Sequence, residues 1–360
     1  MKILYGVVGE GMGHAMRSRV VLDHLTREHD VQVVVSGRAY DYLKTRASEH
    51  LAVRKIWGYS LVYEDNEVRK WQTLKKNLEG ALSDGGWPEN VRAYVEIAEK
   101  FEPDVVISDF ETWSYLFAQR HGLPVISVDN MQIINRCAHA PEILAGAETD
   151  FRLTNAIVKA KVAGAAHYHV TTFFYPPTRK ERTTLHPPIL RPEILAARPD
   201  THAHLLVYQT STSNAGLLDV LRASGRECRI YGMRRDLKED LVDGNLRFRP
   251  FSEAGFIDDL RTAAGVIASA GFTLMGEAVY LRRPMLAVPL AQQFEQLLNA
   301  RYLERDGYGL AAETLDAATV GRFIEGLPDF ERNLARYSQD GNKDLLGALD
   351  GSLARAVAES

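Results

Sequence analysis

Residues 265–300 read as a short apolar strand (Gly265–Ala268), a glycine turn at Gly271, a helix, a second apolar strand (Met285–Val288) and a loop ending Phe294-Glu295-Gln296. In an open parallel sheet, ligands sit at the carboxyl ends of strands and at the helix N-termini beside them. This order puts Glu277 early in a helix and Glu295 just past a strand end, both at that edge. A glycine turn opening a helix suits a phosphate, and Gly271 and Thr273 stand there. An acid one turn in suits a ribose diol, and the Glu295-Gln296 pair suits sugar hydroxyls. Each has a plainer reading: Glu277 as a solvent-facing helical acid, Glu295-Gln296 as a helix cap.

The same alternation runs through the whole chain. Candidate strands Ile3–Val8, Val31–Val35, Val53–Ile56, Val105–Ile107, Val125–Val128 and His169–Phe173 are near-continuous apolar runs, as expected of strands buried on both faces. Helical spacing over Ala15–Arg27 and Trp113–Arg120 makes the first 175 residues a doubly wound unit. Six of the fourteen prolines then fall between Pro176 and Pro199, which predicts a semi-rigid linker over 176–200. A second alternation, from Leu205–Tyr208 through Arg229–Tyr231 and Arg247–Phe248 to Met285–Val288, predicts a second unit over 201–326. A polar helical tail, 327–360, follows and could pack back across either domain. The expected fold is α/β, two Rossmann-like doubly wound domains facing a cleft.

A net charge of −4 gives no reason to expect nucleic acid. Two distant cysteines, Cys137 and Cys228, lack metal-ligand spacing and fit a reducing, cytoplasmic setting. The chain enters a strand at Lys2, without a signal-peptide pattern, and no run of 18 uncharged apolar residues occurs. Peripheral membrane contact stays open. Residues 59–87 are aromatic and partly basic (Tyr59, Tyr63, Arg69, Lys70, Trp71, Lys75, Lys76, Trp87), which reads as a solvated helix face.

The first strand runs into Gly9-Glu10-Gly11-Met12-Gly13-His14. A dinucleotide fingerprint would need glycine at position 14 and an acid after the second strand, which ends Val34-Val35-Ser36-Gly37; the NAD reading fails. The turn instead places His14 at a helix N-terminus, where the dipole favours neutral imidazole by roughly 0.3–1 kcal/mol. Such a ring can serve as a general base or simply bond the loop backbone. Asp109, just past another strand, could orient it, or could cap the helix near Trp113. Glu10 and Glu111 could each serve as a base, bind acceptor hydroxyls or be solvated loop acids, with Gly11 and Gly13 shaping the same loop. In the second unit, Thr210 and Ser211 form either a diphosphate seat or an ordinary helix start. Phe251 and Ser252 form a turn whose backbone could read a base edge, with Phe251 packed nearby or in the core.

With these residues assembled, the chain resembles the GT-B glycosyltransferases, most closely the UDP-glycosyltransferase and family 28 group. The likeness rests on Gly9–His14, on Asp109, and on Gly271-Phe272-Thr273, Glu277-Ala278, Pro284, Pro289, Glu295-Gln296 and Asn299-Ala300 in order. The stretch Ser127-Val128-Asp129-Asn130-Met131-Gln132 points to a bacterial or archaeal subgroup. Two positions depart from the pattern: Ser269 replaces the opening histidine, and Arg283 replaces the glycine before Pro284. The resemblance implies a donor-binding C-terminal domain and an acceptor-binding N-terminal one, in which residues 59–87 would border the acceptor cleft. Phosphates fall to Gly271 and Thr273, ribose to Glu277, the transferred sugar to Glu295 and Gln296, base catalysis to His14 oriented by Asp109.

The expected activity is inverting transfer from a nucleotide sugar, UDP first, to a hydroxyl of a small molecule, glycan or lipid-linked acceptor, with no metal or other cofactor. Two rivals remain: an epimerase of the same fold, and a non-catalytic nucleotide-sugar or glycan-binding protein.

Overall fold

A computed structural model describes residues 1–9, 11–58, 87–200, 202–209 and 215–358, and the backbone of 63–64 and 67–68. The first sheet comprises β1 (Lys2–Val7), β2 (Asp30–Val35), β3 (Leu51–Lys55), β6 (Val105–Asp109), β7 (Val125–Asp129), β8 (His167–Thr171) and β9 (Thr183–His186), with Tyr63–Glu64 (β4) and Glu67–Val68 (β5) forming a separate hairpin. The second comprises β10 (Leu205–Tyr208), β11 (Cys228–Tyr231), β12 (Leu241–Asp243), β13 (Leu246–Phe248), β14 (Gly265–Ala268), β15 (Met285–Ala287) and β16 (Gly309–Ala311). The helices used below are α1 (Met12–Leu25), α2 (Thr112–His121), α3 (Pro192–Ala196), α4 (Glu253–Thr262), α5 (Phe272–Tyr280), α6 (Phe294–Arg305), α7 (Ala317–Leu334) and α8 (Lys343–Ala358).

Strand order is β3-β2-β1-β6-β7-β8-β9 in one sheet and β12-β13-β11-β10-β14-β15-β16 in the other. The described pairings are parallel except β4–β5 and the β12–β13 edge. β6 and β7 are buried at every position, and β1 and β2 from their second residue on, which their Val/Ile content anticipates. The order reverses between β1 and β6, and again between β10 and β14. These switch points open a crevice at the carboxyl ends of the strands.

Two expectations about domain limits are revised. The stretch 176–200 is not a bare linker: the proline-free run Thr183–His186 pairs with β8 as the edge strand, and Pro192 starts α3 at a position that needs no amide hydrogen. The limit at 326/327 falls inside α7, which buries Val320, Phe323 and Leu327 in the second domain's core despite Pro328. The tail packs back on the first domain. Leu345, Leu349, Leu353 and Ala356 of α8 join the core beneath β1 and α1, with Val20, Val21 and Leu25. A further core runs through both domains, and Phe174 stacks on Tyr302 of α6 with centroids 4.0 Å apart.

Candidate active site

The β1–α1 turn brings the first domain to the second. Gly11 takes φ +82, a left-handed conformation suited to glycine, and α1 has no side-chain N-cap. At Gly13 a Cβ would lie 2.6 Å from Thr273 Oγ1, so only glycine lets α1 approach the first turn of α5 this closely. Glu10, Thr210 and Ser211 lie outside the described residues, as does the segment from Tyr59 to Lys76 apart from the β4 and β5 backbones; Trp87 is described and exposed.

His14 stands in the first turn of α1, with its ring about four-fifths buried. Asp109 ends β6, the neighbouring strand across the switch point, and His14 Nδ1 lies 2.8 Å from Asp109 Oδ1. Ser18, one turn further along α1, donates to Asp109 Oδ2 at 3.1 Å, and Arg17 reaches Oδ1 at 3.5 Å. Burial opposes the charge on Asp109, but His14 and Arg17 outweigh it and hold the carboxyl below the ordinary range. An ionised carboxylate only accepts, so Nδ1 carries the proton it receives, and in the neutral ring that leaves the lone pair on Nε2. Nε2 makes no hydrogen bond among the described residues. Arg17 Nη2 lies 2.9 Å from Nδ1 without sharing that proton; it converges on the same carboxylate.

The other acids of this edge have different work. Glu111 is not a loop acid open to an acceptor. It is buried and N-caps α2, accepting from Trp113 N at 2.7 Å and Ser114 N at 2.6 Å, which leaves Asp109 to His14. Asp129, at the end of β7, accepts from Ser127 Oγ and Gln132 N, both at 2.8 Å. Burial and the Asp109 charge push its carboxyl up to about 6. Asn130, next in the chain, accepts from Arg17 Nη1 at 2.5 Å and donates to Glu295 Oε1 at 2.9 Å across the cleft.

On the second domain, Gly271 precedes α5 without a side-chain cap, and Thr273 faces Gly13. Glu295 and Gln296 are not in a loop: α6 starts at Phe294, so both lie in its first turn. Asn299, four residues on, donates to Glu295 Oε1 at 2.8 Å, and Gln296 Oε1 accepts from Leu290 N at 3.0 Å. Burial raises the Glu295 carboxyl. Ser252 N-caps α4 through Gly255 N, while Phe251 is 74% exposed and so is no core residue.

Glu277 fits neither sequence reading. It is 2% exposed, and Arg191 from the proline-rich stretch bonds both its oxygens, Nε to Oε1 at 2.8 Å and Nη2 to Oε2 at 2.9 Å. A buried guanidinium needs this counter-charge, so the carboxylate is taken up by protein rather than turned to a ribose. Arg191 also bonds the half-exposed Glu253 at 2.5 Å. Sequence reasoning assigned no role to Arg17, Ser18, Asn130 or Arg191. The spacing of Arg17 and Ser18 from His14, three and four residues on a helix, was the available signal for two of them.

Two doubly wound domains with opposed switch-point crevices are the GT-B architecture, and the chain is a glycosyltransferase of that class. The sequence profile of glycosyl transferase family 1 matches residues 1–328, and the chain belongs to that family. A Bacillus cereus UDP-N-acetylglucosamine–N-acetylmuramyl-(pentapeptide) pyrophosphoryl-undecaprenol N-acetylglucosamine transferase is 31% identical over 111 residues, covering 28% of this chain and 30% of that protein. Among solved structures, Arabidopsis thaliana UGT89C1 complexed with UDP-L-rhamnose superposes with a TM-score of 0.65 at 16% identity, covering 99% of this chain and 98% of that one. Glycosyltransferase VinC in complex with dTDP gives 0.64 at 14% identity, with both chains fully covered. Identities this low speak to fold. No helix among the described residues is long and apolar enough to cross a membrane.

Proposed function

We propose that this glycosyltransferase moves a sugar, with inversion, from a UDP-linked donor to an acceptor hydroxyl, using His14 as general base and no metal. The observation that carries the reading is the His14–Asp109 pair at the first domain's switch point, placed against the first turn of α5 by the Gly13–Thr273 approach. His14 Nε2 takes the hydroxyl proton as the acceptor oxygen bonds C1 of the sugar. The C1–oxygen bond to the diphosphate breaks on the opposite side, and Asp109 stabilises the imidazolium. The leaving nucleoside diphosphate is held by amides at the N-terminus of α5, with Gly271, Thr273, Thr210 and Ser211. Phe251 and the Ser252 turn take the base, while Glu295 and Gln296 take sugar hydroxyls. The ribose role expected of Glu277 is withdrawn, because Arg191 holds both its oxygens. The named activity of the Bacillus relative favours N-acetylglucosamine as first choice of sugar and a lipid-linked acceptor, with peripheral membrane contact.

Two measurements test this. In a thermal-shift panel of UDP, GDP, CDP, dTDP and NAD, UDP raises Tm most and NAD has no effect. His14→Ala lowers turnover by about 10²–10⁴-fold, the usual worth of general-base help. Turnover within a few-fold of wild type removes the base assignment. Isomerised sugar from donor alone would turn the reading to an epimerase, and UDP binding without transfer to any acceptor would turn it to a binding protein.

A further inference from the structure

Asn130 joins the two halves of the site by a chemistry few side chains could replace. It is 4% exposed, and its amide is used at both ends: Oδ1 accepts from Arg17 and Nδ2 donates to Glu295, 165 residues away. Arg17 only donates and an ionised carboxylate only accepts, so a group between them needs one acceptor and one donor. The partners lead in opposite directions. Arg17, itself 4% exposed, reaches His14 and Asp109 and lies 5.5 Å from the Phe272 ring centroid. Glu295 is tied to Asn299, whose Nδ2 also bonds the Ala270 carbonyl at 3.2 Å, just before α5. Asn130 and Asn299 both use Glu295 Oε1, while Oε2 makes no bond among the described residues, so the clasp and a sugar contact can coexist.

We propose that Asn130 is a positioning residue that sets the register of the donor domain against the His14–Asp109 pair, through Arg17 on one side and Glu295 on the other. The inference rests on the roles given above to His14 and Glu295. It predicts that breaking the clasp leaves donor binding to the second domain largely intact but misplaces bound sugar relative to the base.

The test compares wild type with Asn130→Asp, Asn130→Ala and, from the other end of the clasp, Arg17→Met, using UDP-N-acetylglucosamine and following UDP release. Asn130→Asp keeps the shape but sets a carboxylate against Glu295. The clasp predicts that it loses at least as much kcat as Asn130→Ala, tenfold or more, with donor KM within threefold. A packing role predicts an Asp variant close to wild type, and that result overturns the inference. A second readout needs no turnover. In Asn130→Asp, amide hydrogen exchange should quicken together at residues 12–18 and 290–300, with Arg17→Met as the check should the Asp variant fold poorly; unchanged exchange in the folded variants also overturns it. If wild type neither binds nor turns over any nucleotide sugar, the proposed function fails, and the exchange result alone decides the clasp. If wild type turns over, His14→Ala does not, and the Asn130 variants match wild type, the clasp fails alone.

Discussion

Asp109 and Asp129 end neighbouring strands, and both are buried, yet their surroundings act on them in opposite senses. Asp109 has His14 and Arg17 beside it; Asp129 has a hydroxyl, an amide and the Asp109 charge. A carboxyl raised to about 6 in the native state, against about 3.9 unfolded, contributes stability in full below about pH 4. That contribution is lost as pH rises through 6, and amounts to roughly 3 kcal/mol at 1.36 kcal/mol per unit. Asn in its place can accept from Gln132 N and donate to Ser127 Oγ, so Asp129→Asn keeps the bonds without the charge. Urea titrations of both proteins between pH 4 and 7 should therefore diverge. The variant gains relative to wild type as pH rises and is at least as stable at pH 7, while parallel curves would show that Asp129 titrates normally. At this scale the meeting of His14 with Asp109 was legible, because a histidine after a glycine turn and an acid after a strand both announce the ligand-facing edge. Arg17 and Asn130 were illegible as partners: an arginine inside a helix reads as solvated, and only closure of the two domains brings Asn130 to Glu295.

At the scale of elements, burial on both faces made the central strands readable, since it turns β1, β2, β6, β7 and β14 into short apolar runs. β9 was hidden among prolines and β16 is the three residues Gly309–Ala311, too short for a pattern. The start of α6 is hard to read because no side chain caps it: Gln293, the residue before Phe294, makes no side-chain capping bond. The glycine turn was legible as a turn, but its third glycine has a cause only the second domain supplies. In Gly13→Ala the new Cβ would meet Thr273 Oγ1 at 2.6 Å and its Cβ at 3.3 Å. Separating α1 from α5 to relieve this should cost about 1–3 kcal/mol, the range for overpacking. Removing the hydroxyl in Gly13→Ala/Thr273→Ala should return most of it. Denaturant melts of the four proteins in this cycle provide the measurement, and additive losses would mean the two positions do not meet.

For the whole molecule, the chain's last helix decides how separable the domains are. The order of elements suggests a first domain that ends before the proline-rich stretch, but α8 returns to it after the entire second domain has been made. Amphipathic spacing reveals that such a tail has an apolar face without saying which surface it covers. Here that face packs against β6 and β8 beside α1, the helix carrying His14 and Arg17, whose His24 meets Asp350 at 2.8 Å, and it buries Leu345, Leu349 and Leu353 almost completely. At about 1.5–3 kcal/mol for each leucine, the three together approach the 5–15 kcal/mol by which a whole domain is stable. Phe173 and Phe174, at the end of β8, also pack on the second domain through Phe272 and Tyr302. A fragment of residues 1–200 should therefore lack a cooperative transition and bind a hydrophobic dye. Restoring residues 340–358 on a flexible tether should recover cooperative melting in part, because it covers α1 but not the aromatic face. Leu349→Ala in the full chain should cost about 2–5 kcal/mol, with loss of turnover only at temperatures where the first domain melts. A 1–200 fragment that melts as sharply as the intact protein would mean that α8 contributes little to holding α1, and that the base-bearing helix is set by the first domain alone.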